Sequence, residues 1–476
     1  MEALNREFCE NRAMKDVDTS IEIDPRFDPV DGPVVATFVR YAVPSVLGML
    51  AVTSAGIIDG IFIGNFVGSS ALAAVNLAQP AWAAFAAIVF MLAVGGSVMC
   101  GQFLGQKDTD SASSIFTRTL ICAVGTGAVI TGAGLLFLDD LVRLLGATDA
   151  VESLVVGYMQ IVLLFAPVFV AALTMDYFVR ADGRPVLAAM ALVAFAGSNI
   201  ALNTLFVVYL DWGIVGAAWA SALAEFAIFV ILLSHWFHPR CSLRFTLSRG
   251  RWTDVLQAAW NGLSEFINEL SVGLVVLFFN WVMITRQGVE GVAAYTIITY
   301  LMMIGLEVSY GISASLQPTV SRNLGVGKPE RIHKFLLTAV CAAFSVGLLV
   351  SVLLLALPEQ MIGLFLRPSE QATAVIALVF ISYFWPTFLL NGTNITLASY
   401  FTALHRPLPS AAIAISRSLL LPGLGLVLLP LWLGDRGVYL AIPLAELLTL
   451  ILAVFLVVKI KPLTAAATAI DKSTDF

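Results

Sequence analysis

Long apolar stretches, each interrupted by only a few polar residues, follow one another from about residue 34 to residue 459. Twelve can be delimited, at about 34–64, 71–101, 115–138, 153–179, 186–209, 213–237, 254–284, 291–319, 335–357, 371–395, 408–432 and 437–459. A helix needs roughly 20 apolar residues to cross the hydrocarbon core, so each stretch predicts one span. Several exceed that length, which predicts tilt or interfacial ends. Runs such as VVLFFNWVMI and LLVSVLLLALP lack the alternation of a barrel strand. The pattern therefore predicts an all-α integral membrane protein.

Composition agrees with this reading. Of 476 residues, 59% are hydrophobic and 12% charged, against about 25% charged in soluble domains. Residues 1–32 are polar and acidic, without a signal-peptide pattern. Cys9, Cys100, Cys122, Cys241 and Cys341 show no paired spacing and read as free thiols. His235 and His238 fall near the end of the sixth stretch, His333 and His405 in basic loops, and their spacing predicts no metal site. No GxxxxGK[ST] loop is present, so no nucleotide and no cofactor is implied.

Loop charge sets orientation through an excess of Lys and Arg on the cytoplasmic side. Alternate connections carry Lys107, Arg118, Arg180, Arg184, Arg240, Arg244, Arg249, Arg251, Arg322, Lys328, Arg331, Lys334 and Arg406. The others carry Arg143, Arg286, Arg367 and Arg436. With twelve spans both termini lie on the richer side, which predicts cytoplasmic termini.

The chain also repeats itself. GSSALAAVNL at 68–77 matches GVEGVAAYTI at 288–297, and FLG at 103–105 matches NLG at 323–325. ADGRP ending at Pro185 matches ALHRP ending at Pro407, and GAAWASALAE at 216–225 matches GVYLAIPLAE at 437–446. Two six-helix bundles of the same orientation follow, pseudo-symmetric about the membrane normal, as in transporters that rock around a site between halves. The expected divisions are a tail at 1–32, an N-lobe at 33–237, a basic linker at 238–252, a C-lobe at 253–460 and a tail at 461–476.

Several segments then carry a family likeness. IIDGIFIGNFVGSSALAAVNLAQP (57–80), GQFLGQKD, RADGRPVLAAM (180–190), NGLSEFINELS (261–271), ISASLQPTVSRNLGVGKPERI (312–332) and YLAIPLAE (439–446), in this order over roughly residues 34–460, resemble the multidrug and toxic compound extrusion family, most of all its bacterial multidrug branch. The resemblance implies two bundles around a V-shaped cavity and efflux of cationic, amphipathic drugs in exchange for H⁺ or Na⁺. It also implies a monomer in the bacterial inner (plasma) membrane, with no nucleic-acid partner and no enzymatic activity.

Ionisable groups inside the spans supply candidates. A charge at the bilayer centre costs roughly 2.5–3.5 kcal/mol on insertion scales, so such groups line cavities, pair or take up a proton. Glu265 and Glu269 share one face of the seventh helix, in a polar stripe with Gln257, Asn261 and Asn268. The resemblance adds cation coupling to one of these two and to Asp59 in the first helix. It also adds a fifth-helix pocket, where Asn199 and Asn203 stand in place of an Asn–Asp pair. The tenth helix has Asn391 and Asn394 where a related branch has a carboxylate.

Glu307, Tyr41, Asn76, Phe279, Asn280, Tyr300 and Met303 are the expected substrate-cavity residues. Trp82, Phe85, Met91, Tyr158, Tyr177, Phe178, Tyr295 and Met302 are further aromatic and Met candidates for contact with a flat cation. Asp176 with Arg180, Arg417 with Glu446, and the symmetric Glu225 read as structural polar groups. The alternative function is a flippase for lipid-linked sugars, which needs cavity arginines that the spans scarcely provide. An enzyme or receptor finds no support in any nucleophile, metal or acid–base grouping.

Overall fold

The computed structural model describes residues 27–149, 151–239, 241–363, 365 and 371–460. Residues 1–26 and 461–476 of the two tails, including Cys9, and the loop charges Arg240 and Arg367 lie outside the described residues. Six helical spans form the N-lobe: α1 (Val34–Val67), α2 (Ser69–Gly105), α3 (Thr109–Leu136), α4 (Glu152–Ala181), α5 (Pro185–Tyr209) and α6 (Gly213–Phe237). The C-lobe begins with a 64-residue run, Leu263–Val326, that Gly288 breaks with φ +67° into α7 (263–287) and α8 (289–326). It continues with α9 (Pro329–Ala356), α10 (Gln371–Ala403), α11 (Pro407–Leu433) and α12 (Asp435–Lys459).

The repeat is visible in the joints. Gly68 joins α1 to α2 with φ +116°, and its equivalent Gly288 joins α7 to α8 with φ +67°. Both conformations favour glycine, which has no Cβ to clash. On the opposite face, which carries the basic linker, four turns share one design. Lys107, Gly183, Gly327 and His405 adopt positive φ. The next residue's N–H then returns to a carbonyl five residues back: Asp108 to Phe103, Arg184 to Val179, Lys328 to Asn323 and Arg406 to Phe401. These are Schellman closures. In three of them a proline, Pro185, Pro329 or Pro407, opens the next helix, where its missing N–H costs nothing.

The lobes meet along α1 and α2 against the α7–α8 run, and along α2 against the short helix Trp252–Asn261 that precedes it. The seam is made of backbone. A Cβ on Gly95 would collide with the Ala258 carbonyl, one on Gly105 with the Arg322 carbonyl, one on Gly262 with Met91 and one on Gly325 with Gln102. Gly105 and Gly325 are the glycines of the FLG and NLG repeats, so the same motif from each half faces the other across the seam. Arg322 adds hydrogen bonds of 3.0 and 2.7 Å to the Ala181 carbonyl of the other lobe.

A strap closes the linker face. Asn323 donates to the Pro29 carbonyl at 2.8 Å, and Arg331 to the Pro29 and Gly32 carbonyls at 2.9 and 2.7 Å. Lys328 pairs with Asp31 at 2.7 Å. That hydrogen bond, with the nearby Arg331 and Lys107 charges, holds the Asp31 carboxyl below its ordinary value. From this closed face the lobes diverge as a V.

The linker is bound to the N-lobe. Arg118 of α3 donates to the Leu247 and Gly250 carbonyls at 3.2 and 2.9 Å. Ser113, Thr117 and Ser114 accept from the backbone of Arg244, Thr246 and Arg249. One expectation is corrected here. The seventh stretch is not one continuous helix, because Trp252–Asn261 is a separate short helix ending at Gly262. Gln257 lies exposed on that short helix and is not part of the α7 stripe. The Gly262 break lets the chain pass against the Met91 carbonyl, where a continuing helix with a side chain would clash.

Candidate functional site

Two polar networks sit among the apolar helices, one in each lobe. In the N-lobe, Asn203 donates from Nδ2 to Asp59 Oδ1 at 2.8 Å, and to the Asn199 carbonyl and Oδ1 at 3.0 and 3.2 Å. Asn199 in turn donates to Ser221 Oγ of α6 at 3.1 Å. The three sequence candidates Asp59, Asn199 and Asn203 are therefore one hydrogen-bonded group. The helices distort beside it: π-helical turns run over Ile63–Val67, just past Asp59, and over Thr204–Tyr209, just past Asn203. Such turns are frequent at functional sites because they re-aim side chains.

Ser221 opens onto a cavity of about 630 Å³ inside the N-lobe, on the side away from the linker face. Glu225, one helical turn along α6, also lines it. The remaining wall is apolar and aromatic: Trp82 and Phe85 of α2, and Tyr158, Phe165 and Phe169 of α4. Trp82 and Phe169 lie 4.4 Å apart between ring centroids. The volume is that of a small-molecule site, apolar with a few polar groups at one end. Sequence reasoning took Glu225 as a helix anchor and did not single out Ser221, Phe165 or Phe169. The i,i+4 pair Ser221 and Glu225, polar on an otherwise apolar helix, was the available signal.

In the C-lobe, Glu446 of α12 accepts from Asn391 at 2.6 Å and from Asn394 at 2.6 Å. Arg417 Nη1 stands 3.8 Å from Glu446 Oε1, and its Nη2 donates to Asn268 at 3.3 Å. The expected Arg417–Glu446 pair is therefore present, with both asparagines completing it. The tenth helix lacks a carboxylate of its own, and the twelfth supplies one to its asparagines. Arg417 lies in a π-helical turn, Ser416–Leu420. Aromatic side chains pack elsewhere in the C-lobe: Phe279 stacks on Tyr295 at 4.7 Å, and Phe380 packs on Tyr439 at 4.6 Å.

Between the lobes, Glu265 and Glu269 are half-buried on α7. Glu265 neighbours Asn268 and Arg417, and Glu269 neighbours Glu265 and Glu307. Tyr177 of α4 faces both α7 carboxylates from the other lobe, and Thr53 of α1 meets Glu307. Asn261 donates to the Thr402 carbonyl at 2.9 Å and serves packing within the C-lobe.

Several other candidates lie elsewhere. Tyr41 is buried beside Arg322 and Asp182 at the linker face, and Phe279 is fully buried in the C-lobe core. These two do not line the cavity, because neighbouring side chains enclose them completely. Tyr300 stacks on Phe365 at 5.9 Å, and Asn76 is exposed on α2. Asn280 and Met303 are half-buried on α7 and α8. None of these six, nor Glu307, lines the N-lobe cavity. Asp176 and Arg180 form the expected i,i+4 pair at 2.9 Å, both side chains buried, with Arg180 also donating to Ser45 of α1 at 2.8 Å.

Comparison with known proteins fits this architecture. The multidrug export protein MepA of Staphylococcus aureus is 22% identical over 429 residues, covering 89% of this chain and 94% of that protein. Its counterpart in Staphylococcus haemolyticus is 22% identical over 433 residues, 90% of this chain and 95% of that protein. Among solved structures, an outward-facing multidrug resistance MATE family transporter superposes with TM-score 0.82 at 24% identity, over 93% of this chain and 97% of that one. A MOP superfamily transporter from Pyrococcus furiosus does so with TM-score 0.81 at 24% identity, over 94% and 98%. The MatE family profile matches residues 44–205 and 266–426, one block in each lobe and well over half of the chain. The chain belongs to the MatE family of multidrug and toxic compound extrusion transporters.

Proposed function

We propose that the protein exports amphipathic cations from bacterial cells in exchange for H⁺ or Na⁺, by alternating access across the plasma membrane. The linker face, with both termini, is the cytoplasmic side in this reading. One observation carries it: the polar end of the N-lobe cavity, Ser221 and Glu225, is joined through Asn199 and Asn203 to Asp59. A flat apolar cation fits the aromatic wall by dispersion and cation–π contact. Its charge needs a carboxylate nearby. A proton or sodium ion arriving at the Asp59 network neutralises the carboxylate there, and the cation then loses its counter-ion and leaves. Glu265, Glu269 and Glu307, between the lobes, provide a second place where ion and drug compete.

The flippase alternative gains no support from the cavity. None of the residues lining it is basic, and Arg417 is engaged by Glu446 and Asn268.

The test uses purified protein in liposomes with a fluorescent cationic dye. Dye movement driven by an imposed pH gradient or by an imposed sodium gradient supports the proposal and identifies the ion. No movement with either gradient overturns it.

A further inference from the structure

Three side chains far apart in sequence meet where the linker leaves the N-lobe. Asp182 follows α4, His235 lies at the end of α6 and Cys241 lies in the interlobe linker. One potential ligand atom from each lies within 4.8 Å of the other two. Asp182 and His235 are fully buried, and Cys241 is partly exposed. His235 Nε2 is 2.8 Å from Asp182 Oδ2, which also accepts from the Ser242 backbone at 3.0 Å. The second oxygen, Asp182 Oδ1, is buried and has no hydrogen-bond partner among the described residues. A buried carboxylate oxygen left without a donor is costly, and a cation removes that cost.

We infer that Asp182, His235 and Cys241 form a binding site for a divalent transition metal of zinc type, separate from the transport pathway. One carboxylate, one imidazole and one thiolate make a mixed N/O/S set that suits Zn²⁺, with water in the fourth position at the exposed Cys241 side. On binding, the Cys241 thiol gives its proton to solvent and the sulfur takes the metal. The imidazole binds through Nε2 and moves its proton to Nδ1. In the metal-free arrangement Arg184 Nη1 lies 3.3 Å from Nδ1. A protonated Nδ1 cannot accept from a guanidinium, so Arg184 swings outward when metal binds. The bound ion would fasten the ends of α4 and α6 to the interlobe linker. This departs from the sequence expectation of no metal site, because the three ligands come together only through the fold.

The experiment titrates the purified full-length protein with Co²⁺ as a spectroscopic stand-in for Zn²⁺. The expected result is one equivalent bound with a thiolate-to-metal charge-transfer band. Cys241→Ser, a conservative change at a partly exposed position, should abolish the band and weaken binding at least about tenfold, or ~1.4 kcal/mol. His235→Gln should also weaken it. Arg184→Met removes the guanidinium that opposes the metal-bound imidazole, so it should bind more tightly than wild type. Failure of the wild type to bind one equivalent, or a charge-transfer band that persists in Cys241→Ser, overturns the inference. Weaker binding by Arg184→Met overturns the Nε2 geometry.

Discussion

Asn203 on α5 donates a hydrogen bond to Asp59 on α1 at 2.8 Å, although 144 positions separate them in the chain. The bond ties the end of the first span to the fifth and, through Asn199, to the cavity. Asp59→Asn keeps a hydrogen-bonding group but removes the charge. Gradient-driven dye efflux should fall on the order of tenfold, ~1.4 kcal/mol in the driven step, and binding of the cationic dye to detergent-solubilised protein should weaken, because the neutral side chain imitates the ion-loaded state. Efflux at the wild-type rate in this variant would remove Asp59 from the coupling.

Glu225 is the one carboxylic side chain among the described residues that line the N-lobe cavity. Glu225→Gln should weaken binding of a monocationic dye about tenfold, ~1.4 kcal/mol, and leave a neutral dye of the same shape unchanged. Fluorescence titration with both dyes separates loss of charge from loss of shape.

The seam at the linker face has no room for a methyl group at Gly105. Gly105→Ala should hold that face ajar. A cysteine introduced as Ser321→Cys is buried against Gly101 in the closed state. It should become reactive toward a membrane-impermeant maleimide only when Gly105→Ala is also present. Equal protection in both backgrounds would show that the seam accommodates the extra group.

His405 connects α10 to α11 with φ +53° and keeps its Nε2 buried without a hydrogen-bond partner among the described residues. Loss of hydration pushes its pKa down to about 4. The unfolded chain, near 6.5, therefore binds more protons between pH 6.5 and 4. The contribution is fully present above pH 6.5 and is lost as pH falls toward 4, by at most about 3 kcal/mol and less because the residue is partly exposed. His405→Asn, which tolerates the left-handed backbone, should flatten the fall in melting temperature between pH 7 and 5. An unchanged slope would place the acid sensitivity elsewhere.

The spans, the repeat and the two-lobe plan are legible in the sequence because apolar length and recurring Gly and Pro are local signals. The break at Gly262 is not, since only the Met91 carbonyl across the seam explains it. Glu225 and Glu446 show a deeper limit. They occupy equivalent positions, yet Glu446 is held by Asn391, Asn394 and Arg417. By the register of the ADGRP and ALHRP repeats, the N-lobe has Phe169 and Ala172 in place of the two asparagines. Without those donors Glu225 borders open space, and Phe169 forms part of its wall. A repeat found by sliding the sequence predicts equivalent depth, but partners on other helices decide whether a carboxylate is fastened or available. The same holds for Phe279 and Trp82, both aromatic candidates: one fills a core and the other lines a void.

The single-residue joints at Gly68 and Gly288 have a mechanical consequence. A loop would absorb a rotation of the helix before it; one residue between two long helices cannot. Any torque on α1 or α7, where Asp59, Glu265 and Glu269 sit, passes into α2 or α8 as through a stiff elbow. Those are the helices whose far ends make the glycine seam. In the exchange proposed above, an ion held at Asp59 is thus felt at the seam on the opposite face through the α2 lever, without repacking the interior of either lobe.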